Sequence, residues 1–202
     1  MGEIMLTSYK EFKEFLKTLE YRPKLLLHAC CAPCSSYSIM FLKEYFDITI
    51  FYSNDNISPK EEYDKRLNEI IRFTDNFGIS VLYDEYNEAD YDNAVKGLEH
   101  LGEKTKRCYE CYKLRLNKTA IKAKELGFDY FSTTLSISPY KIARWLNEIG
   151  YMLEDKYGIK YLYSDLKKED GYKKSIELSK EYNLYRQDYC GCKYSKEEKI
   201  YD

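Results

Sequence analysis

Lys24-Leu-Leu-Leu-His28-Ala-Cys-Cys-Ala-Pro-Cys34 is a short apolar run that passes directly into a cysteine loop. Apolar runs of this length, bounded by turn signals, suit a strand buried on both faces, as in a parallel sheet. Pro33 biases Ala32 toward extended backbone and is well placed in the first turn of a helix. The stretch therefore reads as strand, loop and helix, with three cysteines at the carboxyl end of the strand. In parallel α/β sheets that end is where ligands sit.

Working outward, the same alternation recurs. Residues 8–20 carry apolar side chains at helical spacing, with Pro23 beyond them, and a helix is expected over about 35–46. Asp47–Ser53 reads as a second strand. Ser58-Pro59-Lys60-Glu61 has the pattern of a capping box, opening a helix that runs to about Phe77 and ends at Gly78. Strands follow at 79–83, 130–135 and 159–163. Helices are expected at 88–100, 108–126, 139–149 (stopping at Gly150) and 171–182, and a cysteine-bearing tail closes the chain. Strand and helix in alternation imply an α/β fold, a mainly parallel Rossmann-like sheet with helices on both faces. The expected organisation is a single domain, 1–202, with a tail from about residue 183.

The chain has 202 residues and a formal net charge of −2, with 32 basic and 34 acidic side chains. That length builds a core without disulfide staples. The first residues, Met-Gly-Glu-Ile-Met, show no basic-then-apolar leader, and no apolar run approaches a membrane span, so a cytoplasmic, reducing compartment without membrane contact is expected. The charge balance gives no global argument for nucleic-acid binding, which requires only a local basic face. Lys104, Lys106, Arg107, Lys113, Arg115, Lys118, Lys122 and Lys124 form one basic run; it reads either as a solvated helix face balanced by acidic neighbours or as a phosphate-binding face. Phosphate-loop and dinucleotide glycine motifs are absent from the sequence.

All seven cysteines fall in three groups: Cys30, Cys31 and Cys34; Cys108 and Cys111; Cys190 and Cys192. Thiols used for packing would be scattered, whereas thiols used for metal or redox chemistry must converge. In an extended loop, adjacent Cys30 and Cys31 need a bend to face one ion. Cys34, in a first helical turn, is favoured as a thiolate by the helix dipole. Cys108 and Cys111 share a helix face, and with Cys30 and Cys31 they make four thiolates, enough for structural zinc or a [4Fe–4S] cluster. Cys190-Gly191-Cys192 closes only a small ring, so a disulfide there is strained and labile, which suits a two-electron store; two further metal ligands are the alternative. His28, Asp188 and Tyr189 are candidate proton donors.

Several longer stretches carry a resemblance. His28-Ala-Cys-Cys-Ala-Pro-Cys34, Asn54-Asp-Asn-Ile-Ser-Pro-Lys-Glu-Glu-Tyr63, Arg107-Cys-Tyr-Glu-Cys-Tyr-Lys-Leu-Arg-Leu116, Phe131-Ser-Thr-Thr-Leu135, Ser138-Pro-Tyr-Lys141 and Tyr185-Arg-Gln-Asp-Tyr-Cys-Gly-Cys192 resemble the cobalamin-independent epoxyqueuosine reductases of the QueH type. Asp55 departs from the pattern, where proline is expected between Asn54 and Asn56. The resemblance implies an HUP-type α/β fold and reduction of epoxyqueuosine in tRNA to queuosine, an oxidoreductase step of tRNA processing. It implies a [4Fe–4S] cluster on Cys30, Cys31, Cys108 and Cys111, a redox-active pair Cys190 and Cys192, and room for an additional mononuclear iron with Cys34 or an aspartate as ligand. The implied partners are tRNA carrying epoxyqueuosine and an unidentified electron donor. Rival readings are a zinc-stabilised RNA-binding module, a metal-free thiol–disulfide oxidoreductase and a tRNA sulfur-transfer enzyme.

Overall fold

The computed structural model describes residues 5–198; the extreme start of the chain, where no leader is expected, and the last four residues of the expected tail lie outside the described residues. Strands β1 (Lys24–His28), β2 (Asp47–Tyr52), β3 (Val81–Tyr83), β4 (Tyr130–Thr133) and β5 (Lys160–Tyr161) form one sheet in the order β3-β2-β1-β4-β5. Every pairing is parallel. Strand order reverses between β1 and β4, so the crevice at their carboxyl ends is the switch point at which such sheets bind ligands.

The apolar run of β1 explains its central place. Leu25 and Leu27 pack into one core with helices α1 (Tyr9–Lys17), α2 (Ala32–Leu42) and α3 (Lys60–Asp75). Leu26 points the other way, into a second core with α5 (Lys106–Glu125) and α6 (Ala143–Tyr157). All three leucines are fully buried, each worth about 1.5–3 kcal/mol of transfer free energy. Helix α4 (Glu88–Ala94) packs against α5, and α7 (Gly171–Glu181) against α2. A short helix, α8 (Lys193–Glu198), follows the last cysteines. Among the described residues, no helix is long and apolar enough to cross a membrane.

Several expectations are corrected. Ser58 does not cap α3: Pro59 is the N-cap, and the backbone of Ser58 instead donates to Gly191 O at 2.9 Å. The capping box belongs to α1, where Ser8 and Glu11 bond reciprocally. Gly150 does not end α6. The helix runs on to Tyr157 and stops at Gly158 in the left-handed conformation. Gly150 is a packing glycine, since a Cβ there would lie 2.4 Å from the ring of Tyr161. The helix expected at 88–100 ends at Ala94, and that expected from 139 begins only at Ala143, after a 3₁₀ turn at Thr134–Ile137.

Candidate metal centre and thiol cavity

The loop after β1 folds tightly onto itself. Cys31 is the N-cap of α2 with extended backbone, and Cys34 lies in the first turn. Ser35 N donates to Cys31 O at 3.1 Å, which fixes the turn. This bend brings Cys30 Sγ and Cys31 Sγ to 3.8 Å. The sulfurs of Cys30, Cys31 and Cys34 all lie within 4.8 Å of one another, and among the described residues no second group of three or more metal-ligating side chains converges this closely.

Within this trio the contacts favour the charged form at Cys30 and disfavour it at Cys34. Cys30 is held well below the ordinary thiol range because Cys31 and then Cys34 donate S–H to it, with the Arg115 guanidinium also close. Donation to Cys30 pushes Cys31 up to about 12 and raises Cys34 as well. The helix dipole at Cys34 is outweighed by these direct contacts.

Cys108 and Cys111 stand on one face of α5, and Arg115 continues that face one turn on. Arg115 is buried, and its hydrogen bonds go to Asn54 Oδ1 at 2.6 Å, His28 Nε2 at 3.4 Å and Cys111 Sγ at 4.0 Å. None of these acceptors is a carboxylate, and the neighbours able to offset the guanidinium charge are the sulfurs of Cys111, Cys30 and Cys190. A buried cation of this kind is costly unless paired. Arg66 is also buried; it pairs with Glu62 at 2.7 Å and lies near Cys31 and Cys30. Burial raises the thiol of Cys111 to about 11 and raises that of Cys108, so neither ionises readily without a metal or further positive charge.

His28 is locked. Arg115 Nε only donates, so His28 Nε2 accepts and the ring hydrogen sits on Nδ1, 3.0 Å from Thr133 Oγ1. Burial, reinforced by Arg115, depresses its pKa to about 3. The ring is favoured in its neutral form and ties β1 to β4. Asp188 and Tyr189 do reach the cavity described next.

A cavity of about 260 Å³ opens at the switch point, lined by Cys30, Pro33 and Cys34 from the first loop, by Leu135, Ser138, Tyr140 and Lys141 after β4, and by Asp188, Tyr189 and Cys190 from the tail. Cys190 and Cys192 are both free thiols. Gly191 between them has φ +113°, where an L side chain is strained, and a Cβ would lie 2.9 Å from Arg66 Nη1. Cys190 is held well below the ordinary thiol range, first by S–H donation from Cys192 and then by Lys141, whose Nζ lies 2.9 Å from Cys190 Sγ. Cys192 is buried with Tyr91, Val95 and Cys111.

The structure thus brings Cys30, Cys34 and Cys190 to one cavity wall and joins Cys34 to Cys30 and Cys31. It sets Cys111 against Arg115 and Cys108 against the core that holds Cys30 and Cys31. Soft sulfur donors at this density, beside a buried guanidinium without a carboxylate acceptor, fit a sulfur-ligated metal centre of net negative charge. Sequence reasoning gave no role to Lys141 or Asn54 and counted Arg115 as a surface cation. The signal for Arg115 was its spacing, seven after Cys108 and four after Cys111. The basic run is largely consumed: Arg107 and Arg115 are buried, Lys118 pairs with Asp55 at 2.6 Å and Asp90 at 2.7 Å, and Lys113 and Lys122 pair with glutamates on their own helix. Asp55, the departure in the Asn54–Asn56 motif, is therefore an ion-pair partner for α5.

A family model described as epoxyqueuosine reductase QueH matches residues 25–198. An epoxyqueuosine reductase QueH of Streptococcus pyogenes is 44% identical over 180 residues, covering 86% of this chain and 71% of that protein. One from Staphylococcus epidermidis is 44% identical over 182 residues, covering 85% and 75%. One from Thermotoga maritima is 38% identical over 174 residues, covering 85% and 89%. Among solved structures, the fold is similar to the U34-tRNA thiolase NcsA from Methanococcus maripaludis with its [4Fe-4S] cluster, at a TM-score of 0.57 and 16% identity, covering 92% of this chain and 67% of that one. It is also similar to a predicted subunit of tRNA methyltransferase from Methanocaldococcus jannaschii, at a TM-score of 0.53 and 16% identity, covering 78% and 75%. At that identity the likeness is one of fold.

Proposed function

Given that the chain belongs to the QueH family of epoxyqueuosine reductases, we propose that its cysteines divide into a metal-holding set and an exchanging pair on either side of one cavity. The reaction is the reduction of epoxyqueuosine in tRNA to queuosine. Converting an epoxide to an alkene takes two electrons and two protons and releases water. Cys190 and Cys192 together give up two electrons when they close from dithiol to disulfide. They are the exchanging pair, and an external reductant must restore them.

Cys30, Cys31, Cys108 and Cys111 are the proposed holders of a [4Fe–4S] cluster, with Cys34 the remaining thiol beside them. The solved thiolase of similar fold, which holds such a cluster, supports this choice. Bound there, the cluster supplies one-electron chemistry next to the cavity. Cys30, Cys31 and Cys34 are the donors that converge among the described residues, Cys108 and Cys111 complete the proposed set from α5, and the proposal carries a single metal centre. Arg115 balances the charge of the sulfurs, and His28 keeps the two strand ends in register. Asp188 and Tyr189, at the cavity wall, are placed to act on the epoxide oxygen.

The tail from residue 183 works within the same domain, because Cys190 faces the cavity that Cys30 and Cys34 also line. That juxtaposition is the observation that carries the reading. Seven unpaired thiols suit a reducing compartment, so the proposal is a cytoplasmic enzyme.

Anaerobic turnover of the purified protein with tRNA bearing epoxyqueuosine tests the reading, with product nucleosides separated by mass. Queuosine should form over several turnovers with a supplied reductant. Undiminished multiple turnover in Cys190→Ser would remove the pair from the electron path.

A further inference from the structure

Two thiols in one short loop are chemically equivalent in sequence but not in place. Cys190 lines the cavity, whereas Cys192 lies behind it, 6% exposed, with its sulfur accepting from Ser195 N at 3.4 Å. The backbone of Cys190 is clamped from two sides, by Arg66 Nη1 on its carbonyl at 3.1 Å and by Ser195 Oγ, which accepts from its N–H at 3.2 Å. Lys141 arrives from the opposite wall, on the turn after β4. Its own backbone is fixed by Lys141 N donating to Ser138 O and by Lys167 Nζ donating to Lys141 O, both at 3.2 Å.

We infer that Lys141 is a positioning residue that sets the order in which the two thiols act: its ammonium, 2.9 Å from Cys190 Sγ, holds that sulfur at the cavity wall as the one that reacts first, and leaves Cys192 as the resolving thiol. The inference rests on the pair being the electron source. A charge-assisted contact at this distance, away from bulk water, is stronger than a neutral hydrogen bond.

The surrounding charges agree with this order. Helix α5 presents Cys108, Cys111, Tyr112 and Arg115 to the same region, the loop before it presents Glu103, and the tail presents Cys192. Burial opposes the charge on Lys141, and the Cys190 sulfur, foremost among its neighbours, favours it. For Cys192, the S–H that it shares with Cys190 and its burial both keep it protonated.

The balance then closes. Cys190 starts as a thiolate, Cys192 as a thiol and Lys141 as an ammonium. Formation of the Cys190–Cys192 bond releases two electrons and the thiol proton of Cys192; the second proton comes from water by way of the cavity wall, and Lys141 stays an ammonium throughout. The epoxide takes both electrons and both protons, its carbon–oxygen bonds break, and alkene and water leave. An external two-electron reductant then returns the disulfide to the Cys190 thiolate and the Cys192 thiol, with one proton from water restoring Cys192.

Alkylation of the intact, anaerobically purified protein by iodoacetamide, mapped by peptide mass across pH 5.5 to 9.5, tests the order without substrate. Cys190 should react before Cys192. In Lys141→Met the Cys190 profile should move to higher pH, with alkylation at pH 7 slowed about tenfold, the equivalent of one pKa unit. Lys141→Arg should keep the original profile. In turnover, Lys141→Met should lower kcat with KM unchanged. Reaction of Cys192 first in the unmodified protein, or an unchanged Cys190 profile in Lys141→Met, would overturn the inference. Intact alkylation order with no epoxide reduction would instead sink the proposed function and leave the Lys141 contact standing.

Discussion

Arg115 donates from Nε to His28 Nε2 across 3.4 Å and so ties the helix that carries Cys108 and Cys111 to the strand that ends at His28, two residues before Cys30. Its other donors reach Asn54 Oδ1 and Cys111 Sγ. One guanidinium thus spans the first two cysteine groups. Arg115→Met leaves Asn54 Oδ1 without its donor and removes the positive charge among the sulfurs. The expected result is a loss of about 3 kcal/mol in denaturant unfolding, the cost typical of removing one member of a buried charged contact, together with a fall in iron bound per chain. A variant with unchanged stability and unchanged iron would show that the sulfurs do not depend on it.

Tyr140 is 60% exposed at the cavity rim, and Lys104 Nζ lies 5.6 Å from the centre of its ring. An exposed ring with a cation beside it at the cavity rim is suited to stacking on a nucleotide next to the modified one. Stacking of a base on an aromatic ring is worth about 1–3 kcal/mol. Tyr140→Ala should therefore raise KM for tRNA about tenfold with kcat little changed, while Tyr140→Phe should behave like the unmodified protein. Steady-state kinetics on tRNA separates these outcomes.

Gly150 offers a test of the fold alone. A methyl group there would sit 2.4 Å from the ring of Tyr161, which is itself held by Asn147 Oδ1 at 3.2 Å. Gly150→Ala should cost about 1–3 kcal/mol through overpacking. The double variant Gly150→Ala with Tyr161→Leu should lose less than the sum of the two single changes, read from urea midpoints.

The reading of Gly150 as a helix stop shows where sequence reasoning failed. A glycine inside a periodic segment looks the same whether it ends the helix or admits a neighbour, and only the packing of Tyr161 separates the two. Ser58-Pro59-Lys60-Glu61 failed similarly: the pattern is that of a capping box, but Ser58 is drawn into a tertiary bond with Gly191, 133 positions along the chain. The strands were legible because Leu25, Leu26 and Leu27 leave no face for solvent, and glycines at 78 and 127 do take the positive φ that ends helices. The cysteines were legible by clustering. Arg115 and Lys141 were not, because a charged residue reads as surface unless its burial is known. Spacing from Cys111 could have flagged Arg115; nothing local marks Lys141, whose partner Cys190 comes from the tail.

The most direct test of the division among the cysteines is iron per chain, with the absorption spectrum, in anaerobically prepared protein across a serine series. Cys190→Ser and Cys192→Ser should keep the iron and the spectrum of the unmodified protein while losing multiple turnover. Cys30→Ser and Cys108→Ser should lose both iron and turnover. Iron lost equally from Cys190→Ser, or a colourless protein that holds zinc instead, would contradict the account.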